Sequence, residues 1–367
     1  MFGHKRIPSR EGGVEIVVEE LAARMAALGH EVTCYNRGGH HVSGAQFDAE
    51  TGSSYHGIRL KKVPTVNKKG LAAVTSSFFG AVCSALGNAD AVHIHAEGPA
   101  LFCWIPKLFG KKVIVTVHGL DWQREKWKNG LGSKLIRYGE KMAVRFADEI
   151  IVLSRNVQSY FDETYGRRTV WIPNGVERPE ILSADRIEKQ FGLKKDSYIL
   201  FLGRLVPEKG VHYLIEAFRA VCTDKKLVIA GGSSDTDAYC SELRKQASED
   251  DRILFTGFVQ GKLLEELYSN AYLYVLPSDT EGMPLSLLEA MSYGSWCLVS
   301  DIPECTEVVG EYAAVFPAGN VEKLRDALQL LCDSPDTVHY YKQNAQDYVC
   351  GKYNWDDVTK KTLELYR

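Results

Sequence analysis

Apolar residues along this chain recur in two alternating rhythms. Val14, Val17, Val18, Leu21, Met25 and Leu28 fall at helical spacing and Gly29 follows them, which predicts a helix with a glycine stop. Residues 31–36 read as a strand. Beyond it, the β-rich runs Ala91–His95, Lys112–Val117, 149–153 and 169–172 alternate with helical stretches such as 133–147. Short, nearly continuous apolar strands separated by helices describe a parallel sheet covered by helices on both faces. Pro173-Asn174-Gly175 breaks the rhythm, and the polar stretch to Lys195 holds one short helix-like piece. A domain boundary is expected there. The rhythm then restarts with strands at Tyr198–Leu202, Lys226–Ala230, 252–255, 272–276 and 296–299, and helices at 210–221, 237–248 and 262–269. The expectation is α/β throughout: two doubly wound Rossmann-like domains facing across a cleft, residues 1–178 and 179–350. In such sheets ligands bind outside the carboxyl ends of the strands.

Length agrees with this, since 367 residues suffice for two domains that each bury a core. A net charge of -3 supplies no general attraction to nucleic acid, so no nucleic-acid partner is expected. The nine cysteines form no Cys-x-x-Cys pair and do not describe a disulfide framework, which suits a reducing cytoplasm. The stretch 71–87 is uncharged but carries Ser76, Ser77, Gly80 and Ser84, and it falls short of the ~20 strongly apolar residues of a membrane span. Lys61, Lys62, Lys68 and Lys69 precede it. Two readings stay open: a basic and apolar surface resting on the inner membrane face, and a solvated edge strand with its loop.

The segment Glu281-Gly282-Met283-Pro284-Leu285-Ser286-Leu287-Leu288-Glu289 places one carboxylate in a glycine turn and another inside the following helix. Pro284 suits the first position of that helix, and no breaker follows until Gly294. The free amides of a first helical turn can hold an anion, aided by the helix dipole. Upstream, Gly203-Arg204-Leu205-Val206-Pro207-Glu208-Lys209-Gly210 sets two cations between a strand and a helix. Lys209 is expected in the first turn, where a cation opposes the dipole by ~0.3–1 kcal/mol unless an anion binds beside it. Preplaced cations and amides of this kind stabilise a leaving phosphate.

These motifs resemble the donor site of the family-4 retaining glycosyltransferases, which have the GT-B fold and use nucleotide sugars. The resemblance extends over nearly the whole chain. It implies that Glu281 contacts donor sugar hydroxyls, that the amides after Gly282 (Met283, Pro284, Leu285 and Ser286 form this turn) meet the sugar and diphosphate, and that Glu289 holds the ribose. It assigns Arg204 and Lys209, after Gly203, to the diphosphate, and Gly12-Gly13 to a glycine-rich loop meeting the same group from the first domain. His118, at the end of the strand Lys112–Val117, would bind the donor sugar and help the transfer; Glu97, Asp121 and Trp122 are candidates for orienting an acceptor. In this family residues 351–367 would return to the first domain as a helix. The segments Ile7-Pro8-Ser9-Arg10 and Val17-Val18-Glu19-Glu20-Leu21 are most similar to a rhamnosyltransferase or surface-polysaccharide subgroup.

His93, His95 and His118 are set aside as zinc ligands, because strand alternation puts only the first two on one face and nothing completes a site. Asp235-Thr236-Asp237 looks like a metal-binding pair of acids, yet it precedes a helix and reads better as a cap. No cofactor or metal is expected. One departure from the family stands out: only Met1, Phe2 and Gly3 precede His4, where the resemblance implies a full apolar strand, so the expectation is either a first strand cut short at the start of the chain or a gap in the ladder of the first sheet. The function implied is transfer of a sugar from a nucleotide-sugar donor to a sugar or lipid-linked glycan acceptor in cell-surface polysaccharide synthesis. A glycoside hydrolase would pair Glu281 with Glu289 but has no use for Arg204 and Lys209. A dinucleotide-dependent oxidoreductase lacks its glycine fingerprint. A sugar-nucleotide binding protein without catalysis remains the open alternative.

Overall fold

A computed structural model describes residues 1–49, 52–68, 70–123, 130–234 and 236–367. Lys69 and Asp235, both singled out above, lie outside the described residues. The chain forms two compact units, residues 1–175 together with 355–367, and residues 176–354.

In the second unit, strands β8 (Tyr198–Leu202), β9 (Lys226–Ala230), β10 (Ile253–Gly257), β11 (Leu273–Leu276), β12 (Cys297–Ser300) and β13 (Ala314–Phe316) form one sheet in the order β10-β9-β8-β11-β12-β13. Every pairing is parallel. Ile199, Phe201, Leu227, Ile229, Val275 and Val299 are wholly buried in it, as expected of strands covered on both faces. The strand order reverses between β8 and β11, which opens a crevice at their carboxyl ends. The segments after these two strands carry Arg204, Lys209 and Glu281.

The first unit holds two sheets, β1-β3-β2 (Thr33–Arg37, Ile58–Val63, Ser54–Tyr55) and β4-β5-β6-β7 (Ala91–His95, Lys112–Val117, Glu149–Val152, Val170–Trp171). The expected gap between them is partly filled. The Met1 amino group donates to Thr33 O (2.7 Å), Tyr35 N–H donates to Met1 O (3.0 Å), Phe2 N–H to His93 O (3.1 Å) and His95 N–H to Phe2 O (2.9 Å). The first residues therefore pair with β1 on one side and β4 on the other. Two glycines allow this close fit. Gly3 has φ 107, and a Cβ there would lie 2.2 Å from His95 O; a Cβ on Gly80 would meet the Phe2 ring at 3.1 Å. The lysine-bearing strand β3, one of whose readings was an edge, lies between β1 and β2, and its Lys61 and Lys62 are both exposed.

The helix Trp355–Glu364 belongs to the first unit. Gly175 lets it approach, because a Cβ there would lie 2.7 Å from Trp355 N. Arg24 of helix Gly13–Ala27 pairs with Asp356 at 3.1 Å, and Tyr366 donates or accepts at His93 Nδ1 (2.7 Å).

Candidate active site

Two loops at the switch point of the second unit are knitted together by backbone before any charge is considered. Gly210 has φ 66, and a Cβ there would stand 2.0 Å from Pro277 O. Asp279 N–H donates to Glu208 O at 2.9 Å. Gly203, at the end of β8, lies so close to Gly231 (φ 142) that a Cβ on the latter would meet Gly203 O at 1.8 Å. Side chains larger than hydrogen at Gly210 and Gly231 would force these loops apart.

Held this way, Lys209 Nζ meets Glu281 Oε1 at 2.5 Å, with side chains 13% and 8% exposed. Ser278 Oγ donates to the same oxygen at 2.7 Å, and Ser300 Oγ in turn secures Ser278 O at 2.5 Å. The structure thus brings together the cation and the carboxylate that sequence spacing put 72 residues apart. It also corrects the electrostatic reason given for Lys209. The residue closes a short 3₁₀ turn, Pro207–Lys209, and Gly210 caps the helix Val211–Arg219. Lys209 therefore precedes the helix and opposes no dipole within it; its counter-charge in the unliganded chain is Glu281. Arg204 sits in the same loop, where its carbonyl accepts from Val206 N–H at 3.0 Å.

The helix expected after Gly282 spans Leu285–Ser292. Pro284 stands one residue earlier than expected, as the N-cap with ψ 105. The amides of Leu287 and Leu288 bond to Pro284 O at 3.1 and 3.2 Å, so those of Leu285 and Ser286 lead the first turn without intrahelical acceptors. Ser286 Oγ accepts from Tyr274 OH (2.8 Å), and Glu289 Oε2 accepts from Tyr268 OH (3.0 Å). Tyr268, Tyr274 and Ser278 are site residues that sequence reasoning missed. Tyr274 sits in the apolar strand Leu273–Leu276, Tyr268 on the apolar face of helix Lys262–Asn270 and Ser278 in the segment after β11, and all three are buried.

In the first unit, Gly12 is the extended N-cap of helix Gly13–Ala27. Its surroundings are acidic: Glu11 Oε1 accepts from Val42 N–H (2.7 Å) and Glu15 Oε1 from Lys5 N–H (2.9 Å). Burial raises the Glu15 carboxyl above its ordinary range. His118 follows β5 and is 9% exposed; its Nε2 lies 3.1 Å from His95 Nδ1. Gly119 takes φ 137 and turns the chain into Asp121 and Trp122.

Glu97 requires a correction. A residue orienting an acceptor hydroxyl should face the site, but Glu97 is 1% exposed and its Oε2 accepts from Asp121 N–H at 2.8 Å. Burial first, then the neighbouring Glu140 carboxyl, pushes its pKa well up. Glu140, wholly buried, accepts from Tyr160 OH (2.9 Å) and Tyr165 OH. Gly139 permits the contact, since a Cβ there would lie 2.1 Å from Glu97 O. Glu97 is thus a buried strut for the loop after His118. Trp122 in that loop stacks under the Arg137 guanidinium, 4.1 Å from its ring centre.

The first part of the chain, residues 11–178, matches the model of Glycosyltransferase Family 4, and residues 183–348 match that of Glycosyl transferases group 1. An uncharacterized glycosyltransferase of Methanocaldococcus jannaschii is 25% identical, covering 98% of this chain and 95% of its own length. The O-antigen chain mannosyltransferase of Salmonella typhimurium is 26% identical over 60% of each chain. HepE of Anabaena, solved in complex with UDP-glucose, superposes with a TM-score of 0.80 at 17% identity, covering 99% of this chain and 97% of its own. This chain is a family-4 glycosyltransferase of the GT-B fold. In a glycosyltransferase, the Lys209–Glu281 pair and the leading amides of helix Leu285–Ser292 are a set of fixed charges at a sheet crevice. A bound anion can take over Lys209 as its partner, which leaves Glu281 free to accept hydrogen bonds from hydroxyls.

Proposed function

We propose that this glycosyltransferase moves a sugar from a nucleoside diphosphate to a glycan acceptor with retention at the anomeric carbon. The observation that carries the reading is the Lys209 Nζ–Glu281 Oε1 contact of 2.5 Å at the β8/β11 switch point, beside the start of helix Leu285–Ser292. Cation and amides suit a diphosphate, and a carboxylate next to them suits the hydroxyls of the attached sugar. Arg204 and Lys209 take up the negative charge that grows on the leaving phosphate, so the chemistry calls for no metal. The C1–phosphate oxygen bond breaks as the C1–acceptor oxygen bond forms, and the acceptor proton passes to the leaving phosphate. His118 contributes to holding the sugar, and Glu289 to holding the ribose. HepE was solved with UDP-glucose, which supports a nucleotide-sugar donor.

The acceptor we favour is a sugar or lipid-linked glycan of a surface polysaccharide, supported by the likeness to an O-antigen chain mannosyltransferase. Among the described residues no helix is long and apolar enough to cross a membrane. Contact with the inner membrane face would use Lys61, Lys62 and Lys68 with the exposed Leu71 and Phe78 of helix Leu71–Leu86. The test is transfer from radiolabelled UDP-, GDP- and dTDP-sugars, dTDP-rhamnose included for the narrower subgroup, with the product anomer read by NMR. Donor binding without any labelled product would establish a sugar-nucleotide binding protein in its place. An inverted product would overturn retention.

A further inference from the structure

Two buried carboxyl groups meet beneath the loop that follows His118, and the donors around them do not fill their oxygens. Glu97 heads the short helix Glu97–Ala100, Glu140 lies on helix Leu131–Phe146, and the two are 1% and 0% exposed. Gly139 lets the helices approach, and the two side chains lie in hydrogen-bond contact. Yet Glu97 Oε1 and Glu140 Oε2 meet no N–H or O–H of any other residue among the described residues.

An ionised carboxylate only accepts hydrogen bonds, so two of them cannot bond to each other. A single proton makes the bond. It also removes the repulsion between like charges held together away from water. The surrounding donors decide which group carries it. Tyr160 OH (2.9 Å) and Tyr165 OH both donate to Glu140 Oε1, whereas Glu97 receives the single N–H of Asp121 (2.8 Å) at Oε2. Glu140 is therefore the better acceptor and Glu97 the better donor. Burial first, and then Glu140, pushes the Tyr160 phenol up to about 12 and raises that of Tyr165, so both remain donors.

The other elements packed around the pair bring it no matching cation. Asp121 acts on Glu97 as one more carboxyl group. Helix Leu71–Leu86, packed beside Glu97–Ala100, carries no charged side chain. Strand β4 ends at His95 and β5 leads to His118, and these two rings meet each other at 3.1 Å. Arg137, one turn before Glu140, lies over the Trp122 ring, and Lys141 and Arg145 of the same helix are exposed.

We propose that Glu97 and Glu140 share one proton, with Glu97 Oε1–H donating to Glu140 Oε2, and that through this bond Glu97 is a positioning residue for the loop of Asp121 and Trp122. The bond holds Glu97 Oε2 still as the acceptor of the Asp121 N–H. Loss of the proton sets two like charges against each other beneath that loop and unfixes the acceptor. The shared proton stands apart from any reading of the reaction; its effect on sugar transfer rests on the proposed function, in which this loop lies on the acceptor side.

The experiment is infrared difference spectroscopy of the full chain at neutral pH, in the C=O stretch of protonated carboxyl groups, comparing wild type with Glu97→Gln and with Glu140→Gln. Glu15, common to all three proteins, cancels. Glu97→Gln puts an amide N–H where the shared proton sat, and Glu140→Gln turns an amide N–H toward Glu97, which then needs no proton. The expected result is a band present in the wild type and lost in both variants. No difference between wild type and Glu97→Gln would overturn the shared proton. A band that survives Glu140→Gln would show Glu97 protonated by burial alone and overturn the pairing. For transfer, Glu97→Gln should keep most of kcat at neutral pH and hold it as the pH rises, whereas wild-type kcat falls on the alkaline side. The wild-type band should fade in step with that fall, a reading that needs no variant. Glu97→Ala should lower kcat roughly tenfold or more as the loop loses its alignment. Parallel pH profiles for wild type and Glu97→Gln would refute the positioning role. Absence of any sugar transfer by the wild-type chain would instead refute the functional reading, while the spectra still judge the shared proton.

Discussion

His93 offers a quantitative test of the buried histidine cluster at the end of β4. Its Nε2 lies 2.6 Å from Thr116 Oγ1 and its Nδ1 2.7 Å from Tyr366 OH. Burial, with the Met1 amino group and His118 adding to it, holds the ring down to about 3 from an ordinary 6.5. In the unfolded chain His93 takes a proton below its ordinary pKa, while in the folded chain it stays neutral until far lower pH. The unfolded state thus binds more protons, and the stability that His93 confers is complete above about pH 6.5 and lost as the pH falls. At about pH 5 the loss is some 1.5 pH units at about 1.4 kcal/mol each, or about 2 kcal/mol. Glu15 and Glu97, raised by burial, titrate in the opposite sense and mask the effect in the wild-type protein alone. Comparing wild type with His93→Gln cancels them. The variant should be less stable at pH 7.5 by ~1–3 kcal/mol, for the bonds it loses. In urea unfolding that deficit should shrink by about 2 kcal/mol at pH 5, because the variant has one proton fewer to take up on unfolding. A deficit that is the same at both pH values would refute the assignment of a buried neutral His93.

Further outcomes follow from the site. Gly210→Ala and Gly231→Ala, whose Cβ atoms would stand 2.0 and 1.8 Å from backbone oxygens, should each destabilise the protein by more than ~3 kcal/mol and abolish nucleotide binding in calorimetry. Gly192→Ala, at φ 64 with nothing within 4 Å, should cost only ~1–2 kcal/mol. Arg204→Ala and Lys209→Ala should each lower kcat about a hundredfold or more in steady-state assays. Glu281→Gln should abolish transfer while nucleoside diphosphate still binds, and Glu289→Gln should chiefly raise KM for the donor. Dialysis against EDTA should leave the rate unchanged; activity lost to the chelator and restored by manganese would contradict the metal-free account.

Sequence periodicity located the second unit closely because its strands are buried on both faces, and an uninterrupted apolar run such as Tyr198–Leu202 has few other readings. The strand Ala314–Phe316 escaped notice: three residues are too short for any period. Charge pairing was less legible than charge placement. Arg204, Lys209, Glu281 and Glu289 all stood out in their segments, but nothing in spacing says that Lys209 turns to Glu281 when no anion is present. Such a contact is set by the Gly210–Pro277 approach, which only the fold reveals. Glu97 was misread for a related reason. Its place after a strand suggested a ligand, whereas Gly139 leaves room for the helix that carries Glu140 against it, and no local pattern signals that meeting. His95 was considered only as a metal ligand, because a histidine's hydrogen-bond partner cannot be inferred from strand alternation.

The most direct test of the central claim is a thermal-shift panel of UDP, GDP and dTDP and their sugars on the wild-type chain and on the Arg204→Ala/Lys209→Ala double variant. Binding to the folded state at about a hundred times Kd should stabilise it by about 2.7 kcal/mol. One nucleotide series should therefore raise Tm clearly in the wild type and leave the double variant unmoved. No shift with any nucleotide, or an equal shift in both proteins, would contradict a donor site built on these two cations.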